Sequence, residues 1–175
     1  MTSEYFTEAI VLDKEPFGEI DSRVYLYTKL FGRIAAKVKS ARKITSKLSA
    51  HLEPLNLVDL RLISGKDYQA VDALKKGRLA DVGFLRVLNL VKQTMVENQP
   101  DEEVWQILKN QIVSPMPADF AGKLILKNLG FDSQYASCFN CQRANPNIFS
   151  FIDAQYLCSS CLVNYNYSNS DVFAI

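Results

Sequence analysis

Over roughly its first 75 residues the chain alternates apolar and polar positions at the two-residue period of strands. TEAIVLDKE, SRVYLYTKL, RIAAKVKSA, NLVDLRLIS and DYQAVDAL are five runs rich in β-branched and aromatic residues. They are separated by PFGEID, the Phe31-Gly32 turn, a long polar segment and SGK. Five short strands of this kind predict a small barrel. Joining the second and third runs through a loop at Leu30, Phe31 and Gly32 pairs Lys29 with Arg33 and Tyr25 with Lys37. Val24, Leu26, Thr28, Ile34, Ala36 and Val38 then share a core face. Arg23, Tyr25, Tyr27, Lys29, Arg33, Lys37 and Lys39 share the opposite face with Ala35.

From about Ala80 to Leu129 the period becomes helical. Phe84, Leu88, Val91 and Met95 form one stripe. A second helix is expected from Pro100, with Asp101, Glu102 and Glu103 in its first turn and Val104, Leu108 and Ile112 on a common side. A third follows Pro117, carries Phe120, Leu124 and Ile125, and stops at Gly130. These stripes read as core. No internal repeat or phosphate-cradling glycine loop is present.

Charge changes the picture locally. The net charge is +1, so only a local patch can attract a polyanion. Residues 1–28 carry two basic and six acidic side chains, whereas 29–47 carry seven basic and none acidic. Arg42, Lys43 and Lys47 extend the basic strand face into the polar segment, where clustered cations can neutralise phosphates and release counterions. Tyr25 and Tyr27, if exposed, can stack on unpaired bases. Two plainer readings stand beside this one: an ordinary solvated sheet face and loop, and cations that offset the acidic first strand. The start lacks a basic leader followed by an apolar run, and no stretch nears the ~20 apolar residues that span a bilayer, so a soluble cytoplasmic protein is expected.

Near the end, CFNC and CSSC are sixteen residues apart and supply Cys138, Cys141, Cys158 and Cys161. In a reducing compartment two close pairs point to a metal rather than cystine. Four thiolates close a tetrahedral shell, which suits structural zinc and leaves no position for a catalytic water. Iron on the same thiolates, two disulfides and free thiols are the alternatives. Ile148 to Leu157 alternates with aromatics, so a β-hairpin returning the second knuckle to the first, a zinc ribbon, is expected. His51 is the sole histidine and lacks a companion nucleophile or carboxylate pair, so it reads as a turn or capping residue and no enzyme is expected.

The stretch AIVLDKEPFGEIDSRVYLYTKLFGRIAAKVKSARK resembles the opening of the bacterial RecO family of DNA repair and recombination mediators. The matching positions are Phe17, Gly18, Glu19, Asp21, Gly32, Arg33, Ala41 and Arg42. SKLSAHLEPLNLVDLRL is similar to the family's link into its fourth strand, and FAGKLILKNLGFDSQYASCFNC to the helix leading into its zinc knuckle. The resemblance implies an α+β fold: a five-stranded OB-like barrel over 1–78, a helical domain over 79–135, and a zinc module with its tail over 136–175. It further implies binding of single- and double-stranded DNA and annealing of complementary strands. The implied partners are RecR and the acidic tail of single-stranded DNA-binding protein, which RecO-like proteins help RecA to replace. The family usually continues into further helices where this sequence stops fourteen residues after Cys161, so it reads as a short form and no residues are assigned to tail binding.

Two function classes follow. In the first, a DNA-binding and annealing mediator uses Arg23, Tyr25, Tyr27, Lys29, Arg33, Lys37, Lys39, Arg42, Lys43 and Lys47. In the second, a zinc-containing adaptor receives an acidic peptide on the same cations without binding DNA directly.

Overall fold

The first strand, β1 (Ser3–Phe17), is about twice the length of β2 (Asp21–Thr28) and β3 (Gly32–Val38) because it serves two neighbours. Its first half pairs with β4 (Asn56–Ser64), Ser3 opposite Ser64 through Ile10 opposite Leu57. Its second half pairs with β2, and a register break between Val11 and Asp13 bends it from one partner to the other. With β5 (Tyr68–Arg78) the order is β1-β2-β3-β5-β4, a closed barrel of the OB type. The computed structural model describes residues 2–43, 46–79 and 81–175.

The barrel core is the expected inward set. Val24, Leu26, Ile34, Ala36 and Val38 are buried together with Ala9, Val11, Val58, Leu60 and Leu62. The β2–β3 register differs from expectation by two residues: Tyr27 faces Arg33, Tyr25 faces Ala35, and Arg23 faces Lys37. The turn is Lys29-Leu30-Phe31, and Gly32 is already in the ladder opposite Thr28. A shift of two preserves side-chain parity, so each residue keeps the face expected of it.

A short helix, α1 (Lys47–His51), lies within the polar segment that was read only as a connection. His51 ends it and accepts a hydrogen bond from the Lys75 amide on Nδ1 (3.1 Å), tying the helix to β5.

The chain divides into two units, Met1–Pro115 and Met116–Ile175. The helical stretch that follows the barrel has segments in both units. In the first unit, α2 (Leu85–Thr94) buries Val87, Leu88, Leu90 and Val91, and α3 (Glu102–Asn110) buries Val104, Trp105 and Leu108. Lys92 of α2 reaches Asp13 (2.7 Å) and Lys109 of α3 reaches Glu8 (2.7 Å), both on β1. Asp101 caps α3 by accepting from the Val104 amide (3.0 Å).

In the second unit, α4 (Ala118–Asn128) buries Ala118, Ala121, Gly122, Ile125 and Leu126. Its buried stripe is rotated from the expected one, leaving Phe120 exposed. The reason is the fully buried Phe173, whose ring lies where a Cβ on Gly122 would sit, 2.2 Å from its Cζ. Phe173 belongs to β8 (Val172–Ala174), which joins β6 (Ile148–Ser150) and β7 (Gln155–Leu157) in the order β7-β6-β8. The hairpin was expected; its third strand was not. Among the described residues no helix is long and apolar enough to cross a membrane.

Between α2 and α3 the chain returns to the barrel. Gly32 has φ +63°, and a Cβ there would stand 2.2 Å from the Gln99 carbonyl oxygen. Gly32→Ala is therefore strained twice, by conformation and by contact, and should lower the unfolding free energy by about 2 kcal/mol. Urea titration measures this; an unchanged midpoint at unchanged slope would mean that the 95–99 segment does not lie against the turn.

Candidate nucleic-acid interface and metal centre

The outer face of β2 and β3, the face that small barrels of this type present to oligonucleotides, holds a groove of about 280 Å³. Phe17, Arg23, Tyr25, Lys37 and Tyr68 line it together with the acidic Asp67 and Glu97. Strand alternation aims Arg23 and Tyr25 outward, the β1–β2 turn brings up Phe17, and the start of β5 brings up Tyr68. Tyr68 was not singled out from sequence; its signal is an aromatic residue directly after the SGK turn.

The cations of this groove already have partners. Arg23 lies 3.6 Å from Glu15 and over the Phe17 ring at 4.4 Å. Lys37 lies 2.8 Å from Asp21. That ammonium, followed by the Ser40 amide, holds the Asp21 carboxyl below its usual range. Tyr25 donates to Glu15 (2.8 Å), and Lys92 sits 4.0 Å over its ring. These exposed pairs are weak and exchangeable, since solvent screens them.

Two expected members of the interface are placed otherwise. Tyr27 is fully buried, contrary to the exposure expected of it. Its hydroxyl accepts from the Asp101 amide (3.1 Å) and donates to the Asp101 carbonyl (3.3 Å), and burial pushes its pKa up to about 12. It cannot stack on a base. Arg33 donates from Nε to the Met95 carbonyl (2.6 Å) and pairs with Glu97 (3.2 Å), leaving its side chain 19% exposed.

Five cations remain in solvent. Lys29 is exposed on the β2–β3 turn, whereas Lys39, Arg42, Lys43 and Lys47 are exposed beyond the other end of β3. Seven strand residues, about 23 Å, separate the two sites, so the basic run is not one patch. Arg42 anchors backbone to backbone: its amide donates to the Ile20 carbonyl (3.0 Å) and its guanidinium to the Gly18 carbonyl (3.3 Å). None of the five is within salt-bridge distance of a carboxylate among the described residues. Arg42 and Lys43 border a second groove of about 710 Å³ with Lys14, Ser46 and Glu53. Lys14, which sequence reading passed over, is held there by Glu53 (2.6 Å) and the Ser49 hydroxyl (2.7 Å). Ile44 and Thr45, inside the basic segment, lie outside the described residues.

In the second unit the four thiols converge as expected. The sulfurs of Cys138, Cys141, Cys158 and Cys161 all lie within 4.8 Å of one another. A tetrahedron with metal–thiolate bonds of ~2.3 Å has edges of ~3.8 Å, and Cys141 and Cys158 are 3.7 Å apart. Cys138, Cys158 and Cys161 are buried, Cys141 exposed. The knuckles also favour thiolate at Cys138 and Cys158, while, against a hydrogen bond from Asn140, the neighbouring cysteine sulfurs and burial push Cys161 up. The Cys158 amide points at the Cys138 sulfur (3.3 Å). Against the cost of burial, the amides of Cys141, Cys158 and Asn140 lower the Cys138 pKa. The Ser160 hydroxyl, 3.2 Å away, helps draw Cys158 down to about 6. The donor set, spacing and polarity all fit a closed tetrahedral metal shell.

A family model described as "Recombination protein O N terminal" matches residues 1–81. The DNA repair protein RecO of Thermodesulfovibrio yellowstonii is 28% identical over 188 aligned positions, covering 95% of this chain and 73% of that protein. The RecO of Acetivibrio thermocellus is 26% identical, covering 90% of this chain and 70% of its own length. That of Nocardioides is 40% identical over 67 positions, or 38% of this chain and 28% of that protein. With a five-stranded OB-type barrel in the stretch matched by the family model, relatives aligned along nine-tenths of the sequence, and a four-thiol cluster after the helices, this chain is similar to RecO proteins along most of its length.

Proposed function

We propose that the chain acts in DNA repair and homologous recombination as a mediator without covalent chemistry. It binds single- and double-stranded DNA, anneals complementary strands, and helps load recombinase on strands coated by single-stranded DNA-binding protein. RecR and the acidic tail of that binding protein are its proposed partners, in a bacterial cytoplasm at the nucleoid.

The observation that carries this reading is the groove of Phe17, Tyr25 and Tyr68 beside a segment whose cations, Lys39, Arg42, Lys43 and Lys47, have no carboxylate partner among the described residues. Aromatic faces stack on bases of any sequence, and unpaired cations exchange counterions for phosphates. Arg23 and Lys37 contribute by exchanging Glu15 and Asp21 for phosphate, and Lys29 extends contact at the far turn. Tyr27 and Arg33, assigned from sequence, keep positioning roles within the barrel. The self-pairing of Arg23, Lys37 and Arg33 favours the second reading, an adaptor that receives a protein partner without touching DNA. The two part on one titration.

Changing Lys39, Arg42, Lys43 and Lys47 together to Ala should weaken a labelled single-stranded oligonucleotide at least tenfold at low salt. The slope of log affinity against log salt should flatten by about 3, near 0.7 per phosphate contact. Fluorescence anisotropy at several salt concentrations reads both quantities. Unchanged affinity and slope would remove the DNA assignment, and binding of an acidic peptide with none to DNA would establish the adaptor.

The four thiolates are proposed to hold structural zinc: Cys138, Cys141, Cys158 and Cys161 bind it, and its role is to fasten the two knuckles. Elemental analysis should give one zinc per chain, and cobalt exchange should bring thiolate charge-transfer bands of a tetrahedral site. Because binding and folding are linked, chelation should make residues 136–162 protease-sensitive while the barrel, with a core of its own, stays resistant. Full resistance of 136–162 after metal loss would show that the site is not structural.

A further inference from the structure

Between Lys92 and Lys109 the chain has four acidic residues, Glu97, Asp101, Glu102 and Glu103, and no basic one. This linker does not run free from α2 to α3. Its backbone lies along the outer edge of β3: Arg33 and Glu97 form a parallel bridge, and the Asn98 amide donates to the Arg33 carbonyl (3.0 Å). The Tyr68 hydroxyl donates to Asn98 Oδ1 (3.0 Å), and Tyr27 is sealed under Asp101. Asn98 takes a left-handed conformation, φ +58°, which asparagine tolerates better than most side chains. The linker is thus held at several points that do not involve the Glu97 carboxylate.

That carboxylate is 52% exposed, belongs to the lining of the aromatic groove, and pairs with Arg33 at 3.2 Å. Along β3, Arg33 lies between the groove residues Ala35 and Lys37 and the turn that carries Lys29. A phosphate there meets a guanidinium already neutralised and an acidic side chain facing it.

We infer that Glu97 is a built-in competitor for nucleic-acid phosphate: by occupying Arg33 it ends the productive groove and holds single-strand affinity below what the barrel's cations would otherwise give. The inference rests on the DNA-binding reading and concerns regulation of that same face. Its physical basis is exchange. Each phosphate at Arg33 must first break an ion pair within the chain, so that cation adds nothing to counterion release. A pair whose carboxylate side is half exposed is weak enough to open and strong enough to shift occupancy several-fold.

The test compares the full chain with Glu97→Gln, Glu103→Gln and Arg33→Gln, and with the double variant R33Q/E97Q, in titrations of a labelled oligothymidylate at several salt concentrations. Glu103 is exposed on α3, so E103Q removes the same charge without touching Arg33. E97Q is expected to bind roughly fivefold more tightly at low salt, with a salt slope steeper by about 0.7. E103Q should move neither quantity appreciably, and R33Q/E97Q should bind no better than R33Q. Thermal melts verify that each variant keeps the barrel.

Equal gains from E97Q and E103Q would mean simple charge reduction and would overturn the proposal. So would no gain from E97Q, or a gain that persists without Arg33. If neither the unaltered chain nor E97Q bound the oligonucleotide, the DNA reading itself would fall; binding only by E97Q would support competition in its strongest form.

Discussion

The barrel closes through a very short contact. β3 and β5 share only the pairs Ala36–Tyr68 and Lys37–Gln69, which leaves the rest of the β3 edge with backbone groups to satisfy. An open strand edge must be paired, covered or charged. Here it is covered by the chain's own 95–99 segment, which donates the Asn98 amide to Arg33 and presses a carbonyl against Gly32. Much of the outer face follows from that one piece of edge covering. It buries Tyr27, fixes Arg33, brings Glu97 to the groove, and starts α3 where Asp101 can cap it.

The result is a face divided in two. One part, around Phe17, Tyr25 and Tyr68, offers aromatic surface with cations already leaning on carboxylates. The other, Lys39 to Lys47, offers cations without such partners among the described residues. Weak, exchangeable pairs of this kind lower the affinity of a cationic surface for any anion without blocking access to it. The four-thiol cluster differs in kind. Its polar partners are backbone amides and a serine hydroxyl, and the burial of three of its four thiols suits a fastening that does not exchange.

Much of this architecture was legible in the sequence, for reasons that can be located. Val24 to Thr28 and Ile34 to Val38 alternate so regularly that their faces came out correctly even with the register off by two, because an even slip leaves parity intact. The cysteine spacing is rigid chemistry and needed no help from the fold. What alternation does not reveal is what covers the outside of a sheet. Tyr27 and Tyr25 are equivalent by pattern, yet one is sealed by a linker seventy residues further on and the other lines a groove. Ion pairs such as Lys37–Asp21 and Arg33–Glu97 join residues from different elements, so a count of basic residues from 29 to 47 overstated the free charge. The turn of α1 and the three residues of β8 are too short for periodicity to register. Phe120 was read inward because apolar spacing said so, while the space was taken by Phe173 against Gly122.

Amide hydrogen exchange, followed with and without a saturating single-stranded oligonucleotide, tests most directly the proposal that the barrel carries a DNA interface. Added protection is expected at residues 17–25, 37–43 and 66–68, with Tyr27 and the metal knuckles unchanged. Protection confined to 136–175, or none at all in a complex shown to be saturated, would contradict the placement of the interface on the barrel.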